Sequence, residues 1–202
     1  MSPTEPAPAA QGSFPWATAV LAGAAVALFF WPAGSAACIY EREAILRGQW
    51  WRAWSGHLVH FGPSHLFWNL MVFLPAGGWL ERLRPGVARL FYLTAPLAIS
   101  TLLLLADPTL GRYAGLSGIA TGVLVLLACG QLQRTPAEPR WFWIAVLALV
   151  GVKLGAERFT GTPLFVSGFQ DIRDVPLAHV GGAAAAIAGW WLSRRGWAAC
   201  HR

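Results

Sequence analysis

Runs of apolar residues dominate the chain, and their spacing sets the first expectation. Continuous hydrophobic stretches fall at about 17–39, 64–80, 87–106, 116–132, 141–156 and 175–192. They do not alternate polar with apolar, so a β-barrel pattern is absent. Each approaches the roughly 20 apolar residues that a helix needs to cross a bilayer. The second, fourth and fifth are short, which local bilayer thinning or snorkelling flanks can accommodate. The pattern predicts an all-α membrane protein, a bundle of six transmembrane helices joined by tight loops. Residues 1–15, rich in Pro and Ala, read as a disordered tail, 16–194 as one membrane domain, and 195–202 as a cytoplasmic tail.

Composition supports that class. Hydrophobic residues make up 56% of the 202 and charged residues only 12%, about half the charged share of an ordinary soluble domain. The formal charge of +6 does not imply nucleic acid, because the basic residues form no stripe and accompany no nucleic-acid motif. They read as topology signals. Arg82, Arg84, Arg89, Arg134, Arg140, Arg194, Arg195 and Arg202 fall on one side of the alternating spans and seven Lys or Arg on the other. The clusters after spans two and four and at the C-terminus place both termini in the cytoplasm. No Lys or Arg precedes Arg42, so the first span is read as retained and not as a cleaved signal. Cys38, Cys129 and Cys200 form no disulfide or zinc spacing.

The largest segment between spans, Tyr40–Pro63, carries Trp50, Trp51, Trp54 and Phe61. Such aromatics favour the membrane interface, so this loop is expected to lie partly in the bilayer against the bundle. Lys153, near the end of span five, reads as a snorkelling side chain.

Polar residues inside spans are costly and mark function. His65 and Asn69 on span two, Ser117 on span four and His179 on span six all fall in the first turn or two of spans that run inward from the outer face. They therefore share one depth. His65 and Asn69, four apart, share a helix face. Ser117 stands in GLSGIATG between Gly115 and Gly118, where loop becomes helix. Unpaired N–H groups at a helix start suit a developing oxyanion. Gly118 and Gly122 on span four, and Gly182 and Ala186 on the His179 face of span six, are small residues that allow close helix approach. A serine needs a base, and histidine supplies one near neutral pH. No acidic residue lies near these positions in sequence, so a Ser117–His179 pair is expected and not a triad. A metal or haem reading of His57, His60 and His65 meets a five-residue gap and a Gly62–Pro63 break, poor for preorganised ligands. No metal and no cofactor is expected. His57 reads as interfacial or solvated.

These residues bear a resemblance. From Trp51 to Ala186 the chain resembles rhomboid intramembrane serine proteases. The matching strings are Trp51–Arg52, HFGPSHLFWN with His60, His65 and Asn69, then Glu81, Gly115–Gly118 and Ala178–His179 with Gly182. The resemblance implies a six-helix core with a water-filled cavity open to the outer face. It implies Ser117 as nucleophile, His179 as base, and His65 and Asn69 as oxyanion donors. It suggests structural support from Trp51, Arg52, His60, Glu81, Gly115, Gly118 and Gly182. Two positions depart from the pattern. Many rhomboids carry an aromatic four residues after the serine, packed on the histidine; here it is Thr121. Ala186 stands where Gly is common. The compact chain also resembles the rhombosortase branch, thought to process proteins with C-terminal Gly-Gly-type membrane anchors. The implied partners are membrane-anchored protein substrates and the lipid bilayer, in a bacterial inner membrane with the site on the periplasmic side. Residues Glu157–Asp174 and span five are expected to gate substrate entry. The alternative is a non-catalytic relative that binds transmembrane clients.

Overall fold

The structure is a computed structural model that describes residues 13–134, 139–160 and 175–198. Among these, the long elements are helical: α1 (Trp16–Phe29), α2 (Pro32–Cys38), α5 (Pro63–Leu83), α6 (Pro85–Ala106), α7 (Ser117–Gln133), α8 (Arg140–Thr160) and α9 (Pro176–Ala198). Short helices α3 (Arg42–Leu46) and α4 (Arg52–Ser55), a 3-10 turn (Gly56–Leu58) and two-residue strands β1 (Tyr40–Glu41) and β2 (Arg112–Tyr113) complete it.

Helix starts follow local chemistry. Proline occupies the first position of α2, α5, α6 and α9, where its missing N–H costs nothing and its φ is already helical. Pro32 and Pro85 also stop the helices that precede them. The expected single span 17–39 is two helices, α1 and α2, bent by 115°. Pro32 cannot continue a helix and pushes Trp31 out of the helical region, to φ −120° and ψ 86°. The other five apolar runs each became one helix, with α8 reaching four residues beyond the expected 156.

Among the described residues one helix, α6, is long and apolar enough by composition to cross a membrane, or two spans if the bent pair α1–α2 counts as one. Helix α7 is short and apolar on every side. It is buried nearly all round, as such a helix must be, with α5, α6, α8 and α9 packed about it. Its closest neighbour is α9. A Cβ on Gly118 would meet Ala178 O at 2.8 Å, and one on Gly122 would meet Gly182 O at 2.6 Å. A Cβ on Gly182 would collide with the Gly118 carbonyl. The glycine faces expected to pack do pack.

Buried polar groups tie the periphery to this core. Glu81, on α5, accepts the N–H groups of Ala17 at 3.1 Å and Thr18 at 2.8 Å, plus the Thr18 hydroxyl at 2.9 Å. It caps α1, whose own N-cap residue Pro15 offers no side-chain acceptor. The Trp-rich segment is a folded lobe. Arg52 donates to the α2-end carbonyls of Ala36 at 2.9 Å and Ile39 at 3.0 Å, and Trp51 Nε1 to Ala37 O at 3.1 Å. Trp50 and Trp51 remain exposed. Strand β1 pairs antiparallel with β2, Tyr40 opposite Tyr113, which fixes the loop entering α7. Cys38 and Cys129 are free thiols. Of the expected tails, residues 1–12 and 199–202 lie outside the described residues. So do 161–174, most of the expected gate.

Candidate functional site

Ser117 is the first residue of α7. Its backbone N–H therefore belongs to the first turn, which has no intrahelical acceptor. Three contacts hold the loop before it. Tyr113 Oη donates to Gly115 O at 2.9 Å, Gly115 N–H donates to Gly56 O at 3.4 Å, and Leu116 N–H donates to His60 Nε2 at 3.4 Å. Gly115 has φ +126°, a conformation open to glycine and strained for other residues. A Cβ there would also meet His65 Nε2 at 2.7 Å.

His60 donates from Nδ1 to Leu58 O at 3.1 Å and accepts at Nε2 from Leu116. Both nitrogens are used by a neutral ring. Burial, with His65 close by, pushes it down to about 3. The ring thereby links the Leu58 turn to the loop that carries Ser117. His57 departs from expectation. It is fully buried, donates from Nε2 to Pro96 O at 3.0 Å and lies 3.1 Å from Ser100 Oγ; burial pushes it down to about 4. The helices over it, not solvent, surround this ring. With these partners, His57 and His60 do not converge with His65 on a common point. Among the described residues no group of three or more His, Cys, Asp or Glu is placed to hold a metal.

His65 and Asn69, on one face of α5 as spaced, are buried. Asn69 Nδ2 donates to the His65 carbonyl at 2.9 Å. His65 Nδ1 is buried with no hydrogen-bond partner among the described residues.

His65, Asn69, Ser117 and His179 all open on one cavity of about 290 Å³. Trp68 and Val72 of α5, Ala120 and Leu124 of α7, and Val150 of α8 form its apolar wall, with Thr121 of α7 beside them. Among the described residues no hydrogen bond joins Ser117 to His179.

Two further side chains line the cavity, Lys153 and Glu157. Lys153 does not snorkel outward. It pairs with Glu157 Oε1 and stands 3.0 Å from His179 Nδ1. Glu157 Oε2 lies 2.7 Å from the same Nδ1, and the carboxylate is buried. The sequence pattern does not predict a carboxylate at the histidine, because the fifth apolar run ends at 156 and Glu157 falls beyond it. The signal was present: Lys and Glu four apart in an apolar helix are a pair by spacing, and an intramembrane pair points to function.

A helical bundle thus gathers a helix-start serine, two histidines, an asparagine and an acid around one cavity. A family profile described as the Rhomboid domain matches residues 47–195, and the chain belongs to the rhomboid family. Rhomboids are integral membrane proteins, in general intramembrane serine proteases that act on membrane-protein substrates. No curated protein matches the chain.

Proposed function

We propose that this chain is an intramembrane serine endopeptidase with Ser117 as nucleophile and His179 as base. One observation carries the reading: the start of α7 and the first turn of α9 bring both residues to one cavity, beside His65 and Asn69. The Ser117 hydroxyl proton passes to His179 as Oγ bonds to the scissile carbonyl carbon. The resulting oxyanion takes hydrogen bonds from the Ser117 N–H and from Asn69 and His65. The C–N bond then breaks and His179 returns the proton to the leaving amine. Water, activated by the same histidine, cleaves the acyl ester and restores Ser117.

In this reading the runs holding α1–α2 and helices α5 to α9 are six spans, both termini are cytoplasmic, and the cavity opens to the periplasmic side of a bacterial inner membrane. The finer reading, processing of C-terminal Gly-Gly-type anchors, rests on the rhombosortase resemblance. A cavity walled by Ala120 and Thr121 next to Ser117 suits a cleavage site of small residues. The absence of a closed Ser117–His179 hydrogen bond favours one rival, a non-catalytic rhomboid that binds transmembrane clients. Apo catalytic hydrogen bonds are often open, so the test is chemical.

Purified protein in lipid is exposed to a fluorophosphonate, beside Ser117→Ala and His179→Ala. Labelling should fall by on the order of 10³-fold or more in both variants. Equal labelling of all three places the reactive group elsewhere. A folded wild-type protein that takes no label, and cuts no peptide bearing a transmembrane segment, is the client-binding relative.

A further inference from the structure

We propose that Glu157 completes a Ser117–His179–Glu157 triad as a positioning residue, with Lys153 as its counter-ion. The proposal rests on Ser117 being the nucleophile and His179 its base.

Both carboxylate oxygens of Glu157 are committed: Oε1 to Lys153 Nζ and Oε2 to His179 Nδ1 at 2.7 Å. Nδ1 has two polar neighbours, since Lys153 Nζ stands 3.0 Å away, and the proton's place decides between them. An unprotonated Nδ1 could accept from the ammonium, but it would then turn its lone pair on a carboxylate oxygen at hydrogen-bond distance. That arrangement requires a neutral carboxyl, which the adjoining ammonium disfavours. A proton on Nδ1 satisfies both neighbours: it is donated to Glu157, and Lys153 donates to the other oxygen. The tautomer so fixed leaves Nε2 unprotonated, the form a general base needs.

Thr121 replaces the aromatic that many rhomboids set against the histidine. Helix α6, packed on α9, presents apolar Ile99 and Leu102 near Gly181. Among the described residues, the polar and charged groups that share the cavity with His179 are Glu157 and Lys153 from α8, His65 and Asn69 from α5, and Ser117 and Thr121 from α7. A buried ion pair is expensive in an apolar bundle. Its placement on the imidazole of the cavity, and not elsewhere along α8, gives it a task there.

The test measures fluorophosphonate inactivation of the full chain in lipid across pH, separating the maximal rate from the half-saturating concentration. In this reaction Oγ bonds to phosphorus, fluoride leaves, and His179 takes the hydroxyl proton. Glu157→Gln should lower the maximal rate by on the order of 10²- to 10⁴-fold, leave the half-saturating concentration unchanged, and move the pH midpoint lower. Glu157→Asp should recover part of the rate. Lys153→Met should move the midpoint the other way, because the carboxylate then acts on the imidazole unopposed. Opposed shifts do not arise from general loosening of the fold. A Glu157→Gln rate and midpoint equal to wild type overturn the proposal. If Glu157→Gln does not fold, an unmoved midpoint in Lys153→Met overturns it. Wild-type inactivation that persists in Ser117→Ala instead removes the nucleophile assignment beneath it.

Discussion

At the scale of single residues, the histidines divide by what holds them. His179 meets charged partners, whereas His57 and His60 are locked neutral under the lobe, at about 4 and about 3. An unfolded imidazole titrates near 6.5. Between those values the unfolded chain binds protons that the folded chain refuses. Stability is therefore full above about pH 6.5 and declines as pH falls toward 4 and 3, by up to about 1.4 kcal/mol per pH unit for each ring. Thermal unfolding in lipid between pH 7 and pH 5 should show this slope. His57→Gln keeps a donor for Pro96 and removes one ring's share, so its slope should be shallower than wild type. Identical slopes would mean that His57 is protonated in the folded protein.

At the scale of elements, the tightest joint is α7 against α9. Gly118, Gly122 and Gly182 place backbone on backbone there, and Ser117 and His179 ride on the ends of that contact. Gly182→Ala puts a methyl into the Gly118 carbonyl and should cost about 1–3 kcal/mol, with a parallel loss of Ser117 labelling. Gly189→Ala, further along α9, meets nothing within 4 Å; it should hold activity and gain up to about 1 kcal/mol from helix propensity. Matching melting temperatures for the two variants would show that the joint tolerates separation. This joint was legible in the sequence because small residues recurring every three or four positions define a face. The break between α1 and α2 was less so, since an apolar run gives no sign of direction and only Pro32 marked the turn. Glu157 was missed for a related reason. The apolar run stops at its second charge, after Lys153, whereas α8 continues to Thr160 and Glu157 turns inward to a histidine twenty-two residues away in sequence. Partners that distant are set by packing, which periodicity does not report.

At the scale of the molecule, hydropathy marks one span, or two with the bent pair, among the described residues against the six proposed, and the site accounts for the difference. Helices α5, α8 and α9 have 21, 21 and 23 residues, each about 31–35 Å long, enough for a hydrocarbon core of roughly 30 Å. Helix α6 passes a hydropathy test. The others carry His65, Asn69, Lys153, Glu157 or His179, which face the cavity and not lipid, so their average falls while their outward faces stay apolar. The exposed Phe67, Met71, Leu74, Ile144, Leu149 and Ile187 suit a lipid boundary. If the bundle spans as proposed, the loop before α7 and the turn between α5 and α6 lie on opposite sides. In a chain whose three cysteines are replaced, Arg112→Cys should react with a membrane-impermeant maleimide applied to spheroplasts, and Arg82→Cys only after lysis. Both positions are exposed, so access depends on the membrane alone. Reaction of both from outside would break the span assignment. The reverse order would keep the spans and turn the cavity to the cytoplasm, exchanging the side from which a substrate helix must unwind.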